Sequence, residues 1–169
     1  MSAGRAATWT RERDLIAEEV RRQGFSPDLS SYVRAYGSKE MDSALLLLPL
    51  TGFDTDPGRL TSTVDAIRHQ LGAGGPLVFR YPPGSDGLPG KEGAFLPCSF
   101  WLLEAFLRLG RIDEGLQLFE QVLGLANELL LLPEEIDPGT GAYLGNYPLA
   151  LSQAGLVHVI LEVQKVLDA

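Results

Sequence analysis

Two kinds of helical segment alternate along this chain, and that alternation constrains its fold more than any other feature. The first expected helix, about Thr10 to Gln23, carries Leu15, Ile16 and Val20 on one side and charge elsewhere; Thr10 is its candidate N-cap and Gly24 its stop. The second, about Met41 to Leu48, ends in four consecutive leucines before Pro49. A helix apolar on all sides is buried on all sides. So short a run also fits a strand, and leucine's helix preference tips the assignment. The third, about Pro57 to Leu71, sets Leu60, Val64, Ile67 and Leu71 on one stripe behind an Asp56 cap. The fourth, about Ala94 to Leu109, is apolar nearly all round through Phe95, Leu96, Phe100, Trp101, Leu103 and Phe106. The fifth, about Asp113 to Leu130, is one-sided again, through Leu116, Phe119, Val122 and Leu123. The sixth, about Pro148 to Leu167, is broadly apolar through Leu156, Val157, Val159, Ile160 and Val163. No strand is expected.

Helices with one apolar face cover a core from outside; helices apolar all round sit within it. An outer–inner alternation of this kind builds an all-α barrel or solenoid. The segments leading into the inner helices are long and chemically rich: Phe25 to Glu40, Gly72 to Gly93 and Leu132 to Tyr147. If the inner helices run parallel, those loops share one end of the domain, where a rigid scaffold usually carries its site. The expected organisation is a flexible segment over residues 1–9 and one all-α domain over 10–169.

Bulk properties exclude several classes. The formal charge of −8 argues against a nucleic-acid surface, which needs clustered Lys and Arg. One cysteine, Cys98, precludes an intrachain disulfide and reads as a small buried hydrophobe. With two histidines besides, a Cys/His metal site is not expected, nor is any cofactor. The first ten residues lack the apolar stretch of a secretory signal, and no run approaches the ~20 residues of a membrane span. A soluble, cytoplasmic chain is expected.

Three loops carry candidate chemistry. Leu132 to Gly141 holds Glu134, Glu135 and Asp137. These make either a solvated acidic turn or neighbouring carboxylates suited to acid–base work. Phe79-Arg80-Tyr81 leads into the glycine-rich Gly84 to Gly90 and then Lys91-Glu92-Gly93. It is either a packing loop or a sugar site, where an aromatic face meets C–H groups and Arg and Glu meet hydroxyls. Asp42 stands at the start of the second helix, as a charge suited to a helix N-terminus or as a pocket carboxylate.

Four segments, in order, resemble glycoside hydrolase family 15, the glucoamylase family. They are Tyr36 to Leu46, Phe79-Arg80-Tyr81, Glu92 to Leu102, and Pro133 to Gly141 with Leu144-Gly145-Asn146-Tyr147-Pro148. The resemblance implies the C-terminal half of an (α/α)6 barrel, a six-hairpin glycosidase fold. It implies an inverting hydrolase of α-glucosides such as dextrins or trehalose. Inversion needs a general acid and a general base ~6.5–9.5 Å apart. By resemblance Glu134 matches the base, Arg80 a sugar-binding arginine, and Asp42, Tyr81 and Glu92 the pocket rim. The family's general acid lies upstream, in a Trp-Glu loop that has no counterpart here. The expectation is therefore a truncated, inactive or nearly inactive chain that contributes base and pocket. It would pair with an N-terminal half-barrel or with a second copy of itself. The alternative is a non-catalytic helical interaction or sugar-binding module.

Overall fold

The computed structural model describes residues 3–85, 87, 90 and 92–168. Asp86, Leu88, Pro89 and Lys91 of the glycine-rich loop lie outside the described residues.

Six α-helices form the frame: α1 (Ala3–Gln23), α2 (Leu48–Thr51), α3 (Pro57–Leu71), α4 (Leu96–Arg108), α5 (Ile112–Leu123) and α6 (Ala150–Leu167). α3 matches expectation. Asp56 caps it by accepting from the amides of Gly58 and Arg59, and Leu60, Val64, Ile67 and Leu71 are buried. α1 starts at Ala3 instead of Thr10. Alanines and Arg5 are strong helix formers, and Thr10 lies inside the helix without capping it. The leucine run departs more. Residues Ser43–Leu47 form a 3-10 helix, and Pro49 sits in the first turn of the separate α2, where its missing N–H is harmless. α5 stops at Leu123, short of the expected Leu130. Beyond it the Asn127 side chain accepts from the amides of Leu129 and Leu131, a local bond that competes with helix.

α4 is the axis of the core. Every residue from Leu96 to Leu107 is buried except half-buried Trp101, and α5, α6 and the 3-10 turn pack on it. α6 approaches closely at Gly155, where an added Cβ would fall 2.6 Å from the Phe100 ring. The expectation that α6 is buried all round is corrected. Leu156, Val159 and Val163 face the core, while Val157, Ile160 and Leu161 are exposed. The leucine run is also only partly covered, with Leu46 alone fully buried.

The loops contain short strands that the sequence analysis did not expect. β1 (Phe25–Ser26) pairs with β2 (Ser31–Tyr32), and β3 (Gly72–Gly74) with β4 (Leu77–Val78). β5 (Ala94–Phe95), β6 (Glu135–Ile136) and β7 (Tyr143–Leu144) form an antiparallel sheet, with Phe95 opposite Glu135 and Glu135 opposite Leu144. Two-residue ladders leave no period-two pattern to detect, yet they satisfy backbone groups in buried loops. No described helix is long and apolar enough to cross a membrane.

Candidate active site

The three rich loops are joined to one another at the N-terminal end of α4. Ser43 ties the first to the second: its amide donates to Arg80 O at 3.0 Å and its hydroxyl to Phe79 O at 2.6 Å. The β5–β6 pairing ties the second to the third. The amide of Leu96, first residue of α4, donates to Glu134 O at 3.0 Å.

Asp42, Arg80 and Tyr81 come together. Arg80 Nε lies 2.9 Å from Asp42 Oδ1, and both side chains are largely buried. Asp42 also caps the 3-10 turn, accepting from Ala44 N at 2.7 Å. The Arg80 guanidinium packs over two rings, 5.3 Å from the Tyr81 centroid and 5.2 Å from that of Trp101. A charge paired on one side and stacked on another is held in one orientation. Arg34 joins from the first loop, 6.0 Å from the Tyr81 centroid and 3.1 Å from Glu40. Arg34, Asp42, Tyr81 and Ser85 line a hollow of about 360 Å³.

Cys98 lies beneath this cluster. It is buried, as expected, and burial pushes its thiol up to about 12, with Arg80 opposing the shift. A neutral thiol of this kind packs and does not attack.

Glu134 stands immediately before β6, with its carbonyl on the Leu96 amide at the N-terminal end of α4. Asn146 holds it with three bonds. Glu134 N donates to Asn146 O at 2.9 Å, and Asn146 N and Nδ2 donate to Glu134 Oε2 at 2.9 and 2.7 Å. Gly145 makes this possible. Its φ is +70°, and an added Cβ would fall 2.7 Å from Glu134 Oε2. No described hydrogen bond or ion pair joins Glu134 to Arg80. Trp101 lies under Arg80 and Phe95 edge-on to Trp101 at 6.5 Å, and Leu96, next to Phe95, donates its amide to Glu134 O. Glu92 is half-buried two residues before β5, and Glu135 occupies the centre of the three-stranded sheet.

Sequence reasoning missed Arg34, Trp101 and Asn146. Trp101 lies one helical turn after Cys98, a spacing that shares a face. Asn146 is twelve residues beyond Glu134, and no periodicity marks it.

The model of glycosyl hydrolases family 15 matches residues 1–161. The chain belongs to this family. Family-15 relatives include a trehalase of Thermoplasma volcanium, 39% identical over 94% of this chain and 26% of that protein. A trehalase of Mycobacterium tuberculosis is 37% identical over 94% of this chain and 23% of that protein. This family-15 chain thus spans about a quarter of the length of those relatives. Its fold superposes on a wild-type glycosidase at TM-score 0.79 and 21% identity, over 96% of this chain and 46% of that one. A variant glycosidase solved in complex with glucose gives 0.77 and 20%. The described chain is accordingly part of an (α/α)6 barrel, with alternating inner and outer helices.

Proposed function

We propose that this chain supplies the general base and one wall of the sugar pocket of an inverting α-glucosidase, with trehalose as the leading substrate. Support for the substrate comes from the trehalases it resembles. Support for the base comes from the Asn146 clamp on Glu134. Both amide bonds fall on Oε2, which leaves Oε1 to take a proton from water. Arg80, paired with Asp42 at 2.9 Å from Nε and hydrogen-bonded to it through Nη2 at 3.5 Å, has Nη1 as the nitrogen offered to sugar hydroxyls. Tyr81 and Glu92 complete the rim.

Single displacement at the anomeric carbon also needs a proton on the leaving oxygen. Glu134 cannot give one while acting as base. A single copy of residues 1–169 therefore binds sugar weakly and leaves trehalose intact.

α-Glucosyl fluoride separates the two roles, because fluoride departs without a proton. The chain is expected to hydrolyse the fluoride slowly, and Glu134→Gln to abolish this. Trehalose cleavage by a dilute, monomeric chain would overturn the assignment, as would fluoride hydrolysis unaffected by Glu134→Gln.

A further inference from the structure

A second hollow lies between α3, α5 and the β3–β4 hairpin and shares no lining residue with the one at Asp42. Its walls come from two segments well inside the sequence, 68–78 and 102–121, and stand whatever chain precedes or follows. Its volume of about 410 Å³ falls within the ~300–1,000 Å³ of small-ligand sites. The floor is apolar: Leu77 and Val78 of β4 and Leu102 and Phe106 of α4 are all buried. The rim is polar. Gln117 and Gln121 are exposed, and a spacing of four on α5 puts both on one face, at the hollow. Among the described residues, neither of their side-chain amides takes a hydrogen bond. On the hairpin, Gly74 and Gly75 have φ of +100° and +54°, with no atom within 4 Å of where a Cβ would stand, so their backbone lies open.

Charge at the rim cancels. Arg68 Nη1 donates to Glu114 Oε1 at 2.9 Å, and Arg111 donates to Glu114 through Nε at 2.6 Å and to Asp65 through Nη1 at 2.6 Å. Two cations and two carboxylates thus neutralise one another, which leaves no unpaired charge to hold an ion. An oily ligand fits no better, because it would strip water from both glutamine amides and return no bond. A neutral molecule with hydroxyls around an apolar face satisfies floor and rim together.

We propose that this hollow is a second carbohydrate site. It takes a neutral hexose such as glucose, with the C–H face of the ring on the floor and the hydroxyls on the Gln117 and Gln121 amides. The site does not depend on the role assigned to Glu134. It is joined by the chain to the Arg80 site, since β4 leads directly into Phe79 and Arg80, so the two need separate reporters.

Nuclear magnetic resonance of the chain during a glucose titration supplies them. The side-chain amides of Gln117 and Gln121 and the backbone amides of Gly74 and Gly75 report this hollow, and the Trp101 indole reports the Arg80 site. Glucose is expected to shift the four hollow reporters along one saturable curve. In the Gln117→Ala/Gln121→Ala chain, where alanine keeps α5 helical, the curve read at Gly74 and Gly75 should move to at least roughly tenfold higher glucose. The Trp101 response should stay as in the wild type. Glucuronate, a hexose that carries a carboxylate, should bind no tighter than glucose. A flat Trp101 beside shifting glutamine amides would count against the Arg80 site and for this one. Four reporters that glucose leaves unmoved, or a curve untouched by the double substitution, overturn the site. Tighter binding of glucuronate overturns the neutral class of ligand.

Discussion

Asn146 holds Glu134 with a reciprocal clamp: each backbone amide donates to the other residue, and the Asn146 side chain adds a second bond to Oε2 at 2.7 Å. Among the described residues the carboxylate is thus held by the strand-and-turn geometry around it, through Asn146, and by no ion pair.

That clamp predicts separable effects of two neighbours. Asn146→Ala removes the side-chain bond alone, worth about 1.4 kcal/mol, so fluoride hydrolysis should fall roughly tenfold with little change in KM. Gly145→Ala acts on the backbone. A β-carbon at φ +70° is strained and meets Glu134, so stability should drop by about 1–2 kcal/mol, read as a lower urea midpoint. If Asn146→Ala changes only KM, the clamp does not serve the base.

Asp42 and Arg80 make a second prediction. Removing one partner of a largely buried ion pair leaves the other uncompensated, at a cost of roughly 3 kcal/mol. Asp42→Ala should therefore destabilise the chain more than Arg80→Met, which removes the charge and retains the packing stem. Calorimetric sugar binding at the Arg80 site should be lost in both. Equal stability of the two variants would show that solvent reaches the pair.

Tyr32 and Asp54 predict a pH dependence with two edges. The Tyr32 hydroxyl donates to Asp54 Oδ2 at 2.5 Å, and both residues are buried. Burial, then the Asp54 bond, pushes Tyr32 from 10.0 up to about 12. Its raised value gives stability that is complete below pH 10 and is lost as pH rises through about 12. Burial by itself would raise Asp54, but the Tyr32 hydroxyl, the amides of Asp56 and Thr55, and Arg21 outweigh it and hold the carboxyl below its usual 3.8. Its lowered value gives stability present above 3.8 and lost as pH falls through the folded value. Tyr32→Phe should cost ~1.5–3 kcal/mol in urea titrations near neutrality. The difference from wild type should shrink at both pH extremes.

Cys98 predicts silence. With its thiol buried and raised to about 12, it should resist disulfide reagents in the native chain and react on unfolding. Rapid labelling of folded protein would place the thiol on an accessible surface.

Much of the frame was legible because burial writes itself as periodicity. α3 was found to the residue, since a Pro start, an Asp cap and a single stripe all agree there. α4 was found because its residues are apolar on nearly every side, with Ser99 and Glu104 the buried polar exceptions. α6 misled, because apolar residues on two sides imply two packing partners and the described residues supply one. The strands were invisible at two or three residues each. Within the candidate site, Arg80, Asp42 and Tyr81 could be named from motif order, and they do meet. The Asn146 clamp could not, since it depends on a turn that brings residue 146 back onto residue 134.

The two tryptophans divide the molecule into two optical reporters. Trp9 lies on the rim of the α1–α2 groove and meets solvent, whereas Trp101 lies half-buried beneath the Arg80 guanidinium. Ligand entering the pocket should perturb the emission of Trp101, and anything filling the groove should shift that of Trp9 to shorter wavelength. Replacing either one with phenylalanine leaves a single-channel probe of the event the other reports.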